Sequence, residues 1–151
     1  MNLKHKWILK AIVQKTISYL PYPQKLNLFF QNYVTKGIEL SDDYFEVKLQ
    51  HAVDHDHYLR KYHPMNQTLT ILELGTGWYP IVPIVFFLTG CGKVTSIDIQ
   101  NWITRDNQIS TIRKFLEWKL GNKFPPSLLR NVTAEKWEIL YNILDRSSEI
   151  S

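Results

Sequence analysis

At 151 residues the chain has the length of one domain with a real core, and its 44% hydrophobic and 21% charged content excludes a disordered or collagen-like polymer. Its single cysteine, Cys91, excludes an internal disulfide framework; it fits a reducing, cytoplasmic setting and reads as a small buried apolar residue. The net charge of +4 is unevenly placed, because residues 1–38 carry six lysines and no acid. No internal repeat, low-complexity tract or nucleic-acid motif is present.

In chain order, the spacing of Ile8, Leu9, Ile12, Val13, Ile17 and Leu20 predicts a basic amphipathic helix from Lys4 to Leu20. Lys10 and Gln14 interrupt its apolar run, so it is neither a spanning helix nor a signal peptide. A basic amphipathic helix can contact an anionic membrane, but such a stripe more often packs on its own domain. Pro21 and Pro23 break it, and a helical pattern resumes from Gln24 to Lys36 through Leu26, Phe29, Phe30 and Tyr33. Ser41 then reads as an N-cap, with Asp42 and Asp43 in the first turn of a helix reaching about Tyr62. Residues 1–66 are therefore expected to form a helical cap region, and residues 67–151 the unit that it covers.

Inside the third helix, His51 and His55 have the four-residue spacing of metal ligands, and Asp54 or Asp56 could add an oxygen. Ala52 stands where the zinc-protease pattern has its glutamate. Clustered histidines on a polar helix are more often surface residues, and no metal is expected.

The second unit is organised by the stretch from Leu69 to Pro80. The apolar run Leu69 to Leu74 predicts a buried strand that stops at Gly75-Thr76-Gly77, where the backbone can turn without a Cβ penalty. Pro80 opens a helix through Ile81 to Leu88, which Gly90 closes. Lys93 to Asp98 predicts a second, parallel strand. A strand, a glycine turn, a helix and a strand ending in an acid make a βαβ unit shaped to hold a nucleoside. The helix start favours an anionic group beside the glycines. Asp98, about 20 residues beyond Gly77, can accept two hydrogen bonds from a ribose diol.

Asn101 and Trp102 lead into a helix from Thr104 to Leu120, with Ile109, Ile112, Leu116 and Leu120 on one face and Gly121 as its stop. Trp102 stands where it could edge an adenine pocket. Pro125-Pro126 predicts a loop. Thr133 can cap a last helix from Ala134 to about Leu144, with Trp137, Leu140, Tyr141 and Leu144 as its stripe.

Glu73-x-Gly75-x-Gly77, followed by a strand ending in Asp98, resembles the first motif and acidic loop of class I S-adenosylmethionine-dependent methyltransferases over residues 67–120. The resemblance implies that Gly75, Thr76 and Gly77 form the loop at the methionine part of the cofactor and that Glu73 faces its ammonium. It also implies that Asp98 binds the ribose hydroxyls and that Ile99 lies near the adenine. Tyr79 replaces the third glycine of the longer family pattern, which makes the loop bulkier.

The fold expected on this basis is α/β, a partial Rossmann-like unit with a helical N-terminal extension, and the cofactor is S-adenosyl-L-methionine. No convincing strand follows Asp98, although the family sheet has seven. The chain is therefore expected to be the N-terminal, cofactor-binding part of a longer methyltransferase or a truncated frame, inactive alone and with an edge open to a C-terminal continuation or to self-association. The sequence names neither a methyl acceptor nor a catalytic base. A non-catalytic module binding an adenosine ligand or a partner is the alternative. An NAD(P)-dependent oxidoreductase ranks third, because Pro80 occupies the place of the third dinucleotide-loop glycine.

Overall fold

The computed structural model describes residues 6–22, 26, 39–63, 69–130 and 132–148. They fall into two compact units, Met1–Glu39 and Leu40–Ser151. The expected helix from Gln24 to Lys36 lies outside the described residues.

In the first unit, α1 spans Lys6–Ile17. The Thr16 hydroxyl donates back to the Ile12 carbonyl at 2.9 Å, and Tyr22 adopts a left-handed φ of 59° next to Pro21. Ile12 is exposed. Among the described residues no helix is long and apolar enough to cross a membrane.

The second unit runs α2 (Asp42–Tyr62), β1 (Thr70–Leu74), α3 (Ile81–Leu88), β2 (Lys93–Ile97), α4 (Arg105–Leu120), α5 (Pro126–Leu129) and α6 (Ala134–Ser148). It is a mixed helix and strand unit around one parallel strand pair, in the register Glu73 to Ser96 and Leu74 to Ile97. Its first helix, α2, starts where the sequence signals it, because the Ser41 hydroxyl accepts from the Tyr44 N–H at 3.2 Å. Thr104 caps α4 in the same way through Asn107. The compact unit includes α2 with the strand pair, since its boundary falls at Leu40.

The core is helical. Phe45, Leu49 and Ala52 of α2 meet Ile81, Val85 and Leu88 of α3, Ile112, Phe115, Leu116 and Trp118 of α4, and Trp137 and Leu140 of α6. Phe45 packs edge-on to Phe115 at 5.0 Å between ring centres. Such pairs add about 0.5–1.5 kcal/mol beyond their buried area.

No strand residue belongs to this core, which corrects the expectation of a buried strand. Ile71, Glu73 and Val94 are half-buried on one face of the pair, whereas Leu72, Leu74 and Ile97 on the other face are exposed. Leu74 is 74% exposed. A two-strand sheet has too little area to be clasped between two helix layers, so its apolar side chains alternate between packed and open.

Three further expectations are corrected. Leu120 does not join the stripe of α4 but is exposed; Ile112 and Leu116 are buried as expected, and Thr111, Phe115 and Trp118 join them. Gly121 ends α4 as expected, with an ordinary φ of −78°, and the left-handed residue is Asn122 at φ 52°. Pro125-Pro126 does not make a plain loop but starts α5, and α6 runs four residues past Leu144 to Ser148.

Lys114 on α4 makes an ion pair with Asp42 in the first turn of α2, and Lys123 lies 3.8 Å from the same carboxylate. The Lys114 hydrogen bond holds the Asp42 carboxyl below its ordinary 3.8, and the same bond holds Lys114 above its ordinary value. A carboxyl with a depressed folded pKa contributes stability that is complete above 3.8 and is lost as the pH falls through the lowered value. The melting-temperature gap between the wild type and Asp42→Asn is therefore expected to be steady near neutrality and to close as the pH drops below 3.8. A gap of constant size down to about pH 2 would contradict the pairing.

Candidate functional site

The carboxyl ends of β1 and β2 lie side by side, and the Gly75 N–H donates to the Ile97 carbonyl at 2.8 Å, which carries the ladder one residue into the loop. Gly75 and Gly77 then adopt φ of +82° and +74°. These are left-handed values that a side chain with a Cβ adopts only under strain, so the turn depends on glycine at both places. It brings the loop back towards β2. The Gly77 N–H donates to Asp98 Oδ2 at 2.9 Å, and the Ile99 N–H donates to Asp98 Oδ1 at 2.7 Å. An ionised carboxylate offers about four acceptor sites, so Asp98 keeps capacity for two more donors.

Beside Asp98 is a hollow of about 340 Å³, lined by Thr76, Gly77, Ser96, Asn101 and Trp102. The Trp102 ring lies 4.7 Å from that of Trp78, tilted by 46°. On the far side of the loop, Glu73 Oε2 accepts from the hydroxyls of Thr76 at 2.6 Å and Ser96 at 2.8 Å. Two donors on one oxygen fix the carboxylate and leave its second oxygen to other partners. At the start of α3 the Ile81 N–H is already taken by the Tyr79 carbonyl at 2.8 Å, and Pro80 supplies no side-chain cap.

The residues expected at the site fall in two groups. Thr76, Gly77 and Asp98 line the hollow beside Trp102, whereas Glu73, Gly75 and Thr76 line a larger cavity between β1 and α2. Thr76 lies on both. Ile99 lines neither; its side chain is 91% exposed and only its N–H touches Asp98.

Sequence reasoning missed Trp78, whose signal was its place between Gly77 and Tyr79 on a loop facing Trp102. It also missed the role of Asp56. This carboxylate is buried and accepts from the Thr89 hydroxyl at 2.8 Å and from Arg60 Nε at 2.7 Å. It ties α2 to the carboxyl end of α3. His51 and His55 line the larger cavity. Among the described residues no group of three or more histidine, cysteine or acidic side chains could hold a metal ion. Cys91 is buried, and burial pushes its thiol up, away from the thiolate form that a nucleophile needs.

No family model matches the chain, and neither a curated protein nor a solved structure matches it.

Proposed function

We propose that the second unit is a Rossmann-like βαβ element that binds S-adenosyl-L-methionine, as the cofactor-binding part of a methyltransferase. The observation that carries this reading is the Gly77 N–H on the Asp98 carboxylate at 2.9 Å, which joins the glycine turn to the acid at the carboxyl ends of two parallel strands. That is where open parallel sheets receive nucleosides. The adenosine would occupy the hollow beside Trp102, with its ribose hydroxyls donating to Asp98. The methionine end would pass Thr76 towards Gly75 and Glu73, whose second oxygen can face the ammonium.

Methyl transfer from a sulfonium needs little from the protein beyond aligning a nucleophile and excluding water. The described sheet has two strands where the family sheet has seven, so the chain alone is expected to bind without turnover. A non-catalytic adenosine-binding or partner-binding module is the second reading, and the two-strand sheet with Leu72 and Leu74 exposed favours it. A nicotinamide dinucleotide fits less well, because Pro80 replaces the glycine that such loops use.

The test is Asp98→Ala. Losing the charge-assisted hydrogen bonds to the ribose should weaken S-adenosylhomocysteine by about 2 kcal/mol, or about thirtyfold in Kd, read by calorimetry. Unchanged affinity would remove the reading.

A further inference from the structure

The cavity on the Glu73 side of the loop measures about 660 Å³, within the range of small-molecule sites. One wall is α2. Lys48, His51, His55, Tyr58 and Tyr62 recur at steps of three and four, so they share one helical face along the cavity. The opposite wall is β1 from Ile71 to Leu74, and Ile81 and Phe86 of α3 complete it.

Among the described residues this strand pairs with β2 alone, on one edge. The Gly75 N–H to Ile97 carbonyl bond and the Lys93 N–H to Leu69 carbonyl bond place the odd-numbered main-chain groups of this strand towards β2. In a parallel ladder the alternate residues, Leu72 and Leu74, then turn their N–H and C=O groups the other way.

Charge is distributed one way across the cavity. Every basic or imidazole group among its described lining residues belongs to α2 or the residue that follows it, His63. The one acid is Glu73, whose Oε2 already receives two hydroxyl donors. The remaining lining is chiefly aliphatic and aromatic. The ends of the cavity are also distinguishable. Tyr44, one turn before Lys48, meets the Tyr79 ring at 6.0 Å beside the glycine loop, while Arg60 at the far end of α2 donates to the Thr89 carbonyl beyond α3. Lys48 and His51 therefore stand at the glycine-loop end, and Tyr62 stands at the other.

We propose that this cavity binds a soluble amphipathic carboxylate. Its acid group would accept hydrogen bonds from the Lys48 ammonium and the His51 imidazole, and its apolar body would lie along β1, Ile81 and Phe86 towards Tyr62. The apolar walls supply the area that drives a hydrocarbon out of water, and the Lys48 ammonium selects the sign of the head group. The proposal rests on the cavity alone and does not require a bound nucleoside.

The experiment is calorimetry of the full chain, without nucleoside, against three probes: octanoate, 1-octanol and acetate. Octanoate is expected to bind saturably, 1-octanol at least tenfold more weakly, and acetate undetectably. Lys48→Gln combined with His51→Gln should weaken octanoate at least tenfold and leave 1-octanol unchanged. Leu72→Glu, at an exposed position whose change leaves the core intact, should weaken octanoate to a similar extent, with circular dichroism reporting the retained fold. Absence of saturable octanoate binding, equal affinity for 1-octanol, or octanoate affinity unchanged in both variants would overturn the proposal. Because no nucleoside is present, failure of S-adenosylhomocysteine to bind would leave this outcome readable.

Discussion

Replacing Asp56 by alanine is expected to lower the stability of the second unit by about 3 kcal/mol, the lower part of the range for breaking a buried ion pair. The carboxylate is 7% exposed and accepts from the Thr89 hydroxyl and Arg60 Nε at once. Removing it strips the Thr89 hydroxyl, itself buried, of its best acceptor and takes the carboxylate away from Arg60 Nε. A unit of this size should then melt on the order of 10 °C lower. Asp56→Asn keeps an acceptor for Thr89 but sets an NH2 donor where Oδ2 receives Arg60 Nε, so it should recover only part of the loss. Equal melting temperatures for wild type and Asp56→Ala would show that the tie between α2 and α3 carries no weight.

Gly75→Val is expected to abolish binding of S-adenosylhomocysteine, with a loss of at least about a hundredfold. A Cβ at position 75 would meet no heavy atom within 4 Å, so the free chain has room for it. The damage comes from two other sources. At φ +82° a β-branched side chain is strained by about 1–3 kcal/mol, and the same side chain projects into the space that the ligand needs beside the main chain. Gly75→Ala should therefore keep measurable but weakened binding, and both variants should keep the circular dichroism of the wild type. Full affinity in Gly75→Val would move the site away from the loop.

Elements with a strong local signal were legible in the sequence. Ser41 and Thr104 cap the helices that their side chains announce, and the β1 and β2 strands end where glycine and Asp98 mark them. The meeting of Gly77 with Asp98 follows from the βαβ pattern, because parallel strands bring their carboxyl ends together.

What escaped depends on contacts between distant segments. The stripe of α4 was drawn through aliphatic residues. Trp118 instead turned inward against Phe45 and Phe124, and Leu120, two residues on and about 200° round the helix, was carried to the solvent side. The half-open sheet could not be read from Leu69 to Leu74, since an apolar run looks the same whether one face is covered or two. Beside His51 and His55, Asp56 shows only as an oxygen that could join them, because Thr89, the donor that explains its burial, lies 33 positions away. The row from Lys48 to Tyr62 acquired meaning only once β1 faced it across a cavity.

The central claim is that the loop from Gly75 to Gly77 and the Asp98 carboxylate together hold an S-adenosyl ligand. Calorimetric titration of the chain with S-adenosylhomocysteine, beside a parallel titration with NADH, tests it most directly. The account predicts one saturable site for S-adenosylhomocysteine, no heat from NADH, and about thirtyfold weaker binding in Asp98→Ala. No saturable heat from S-adenosylhomocysteine, or NADH binding at least as tightly, would contradict it.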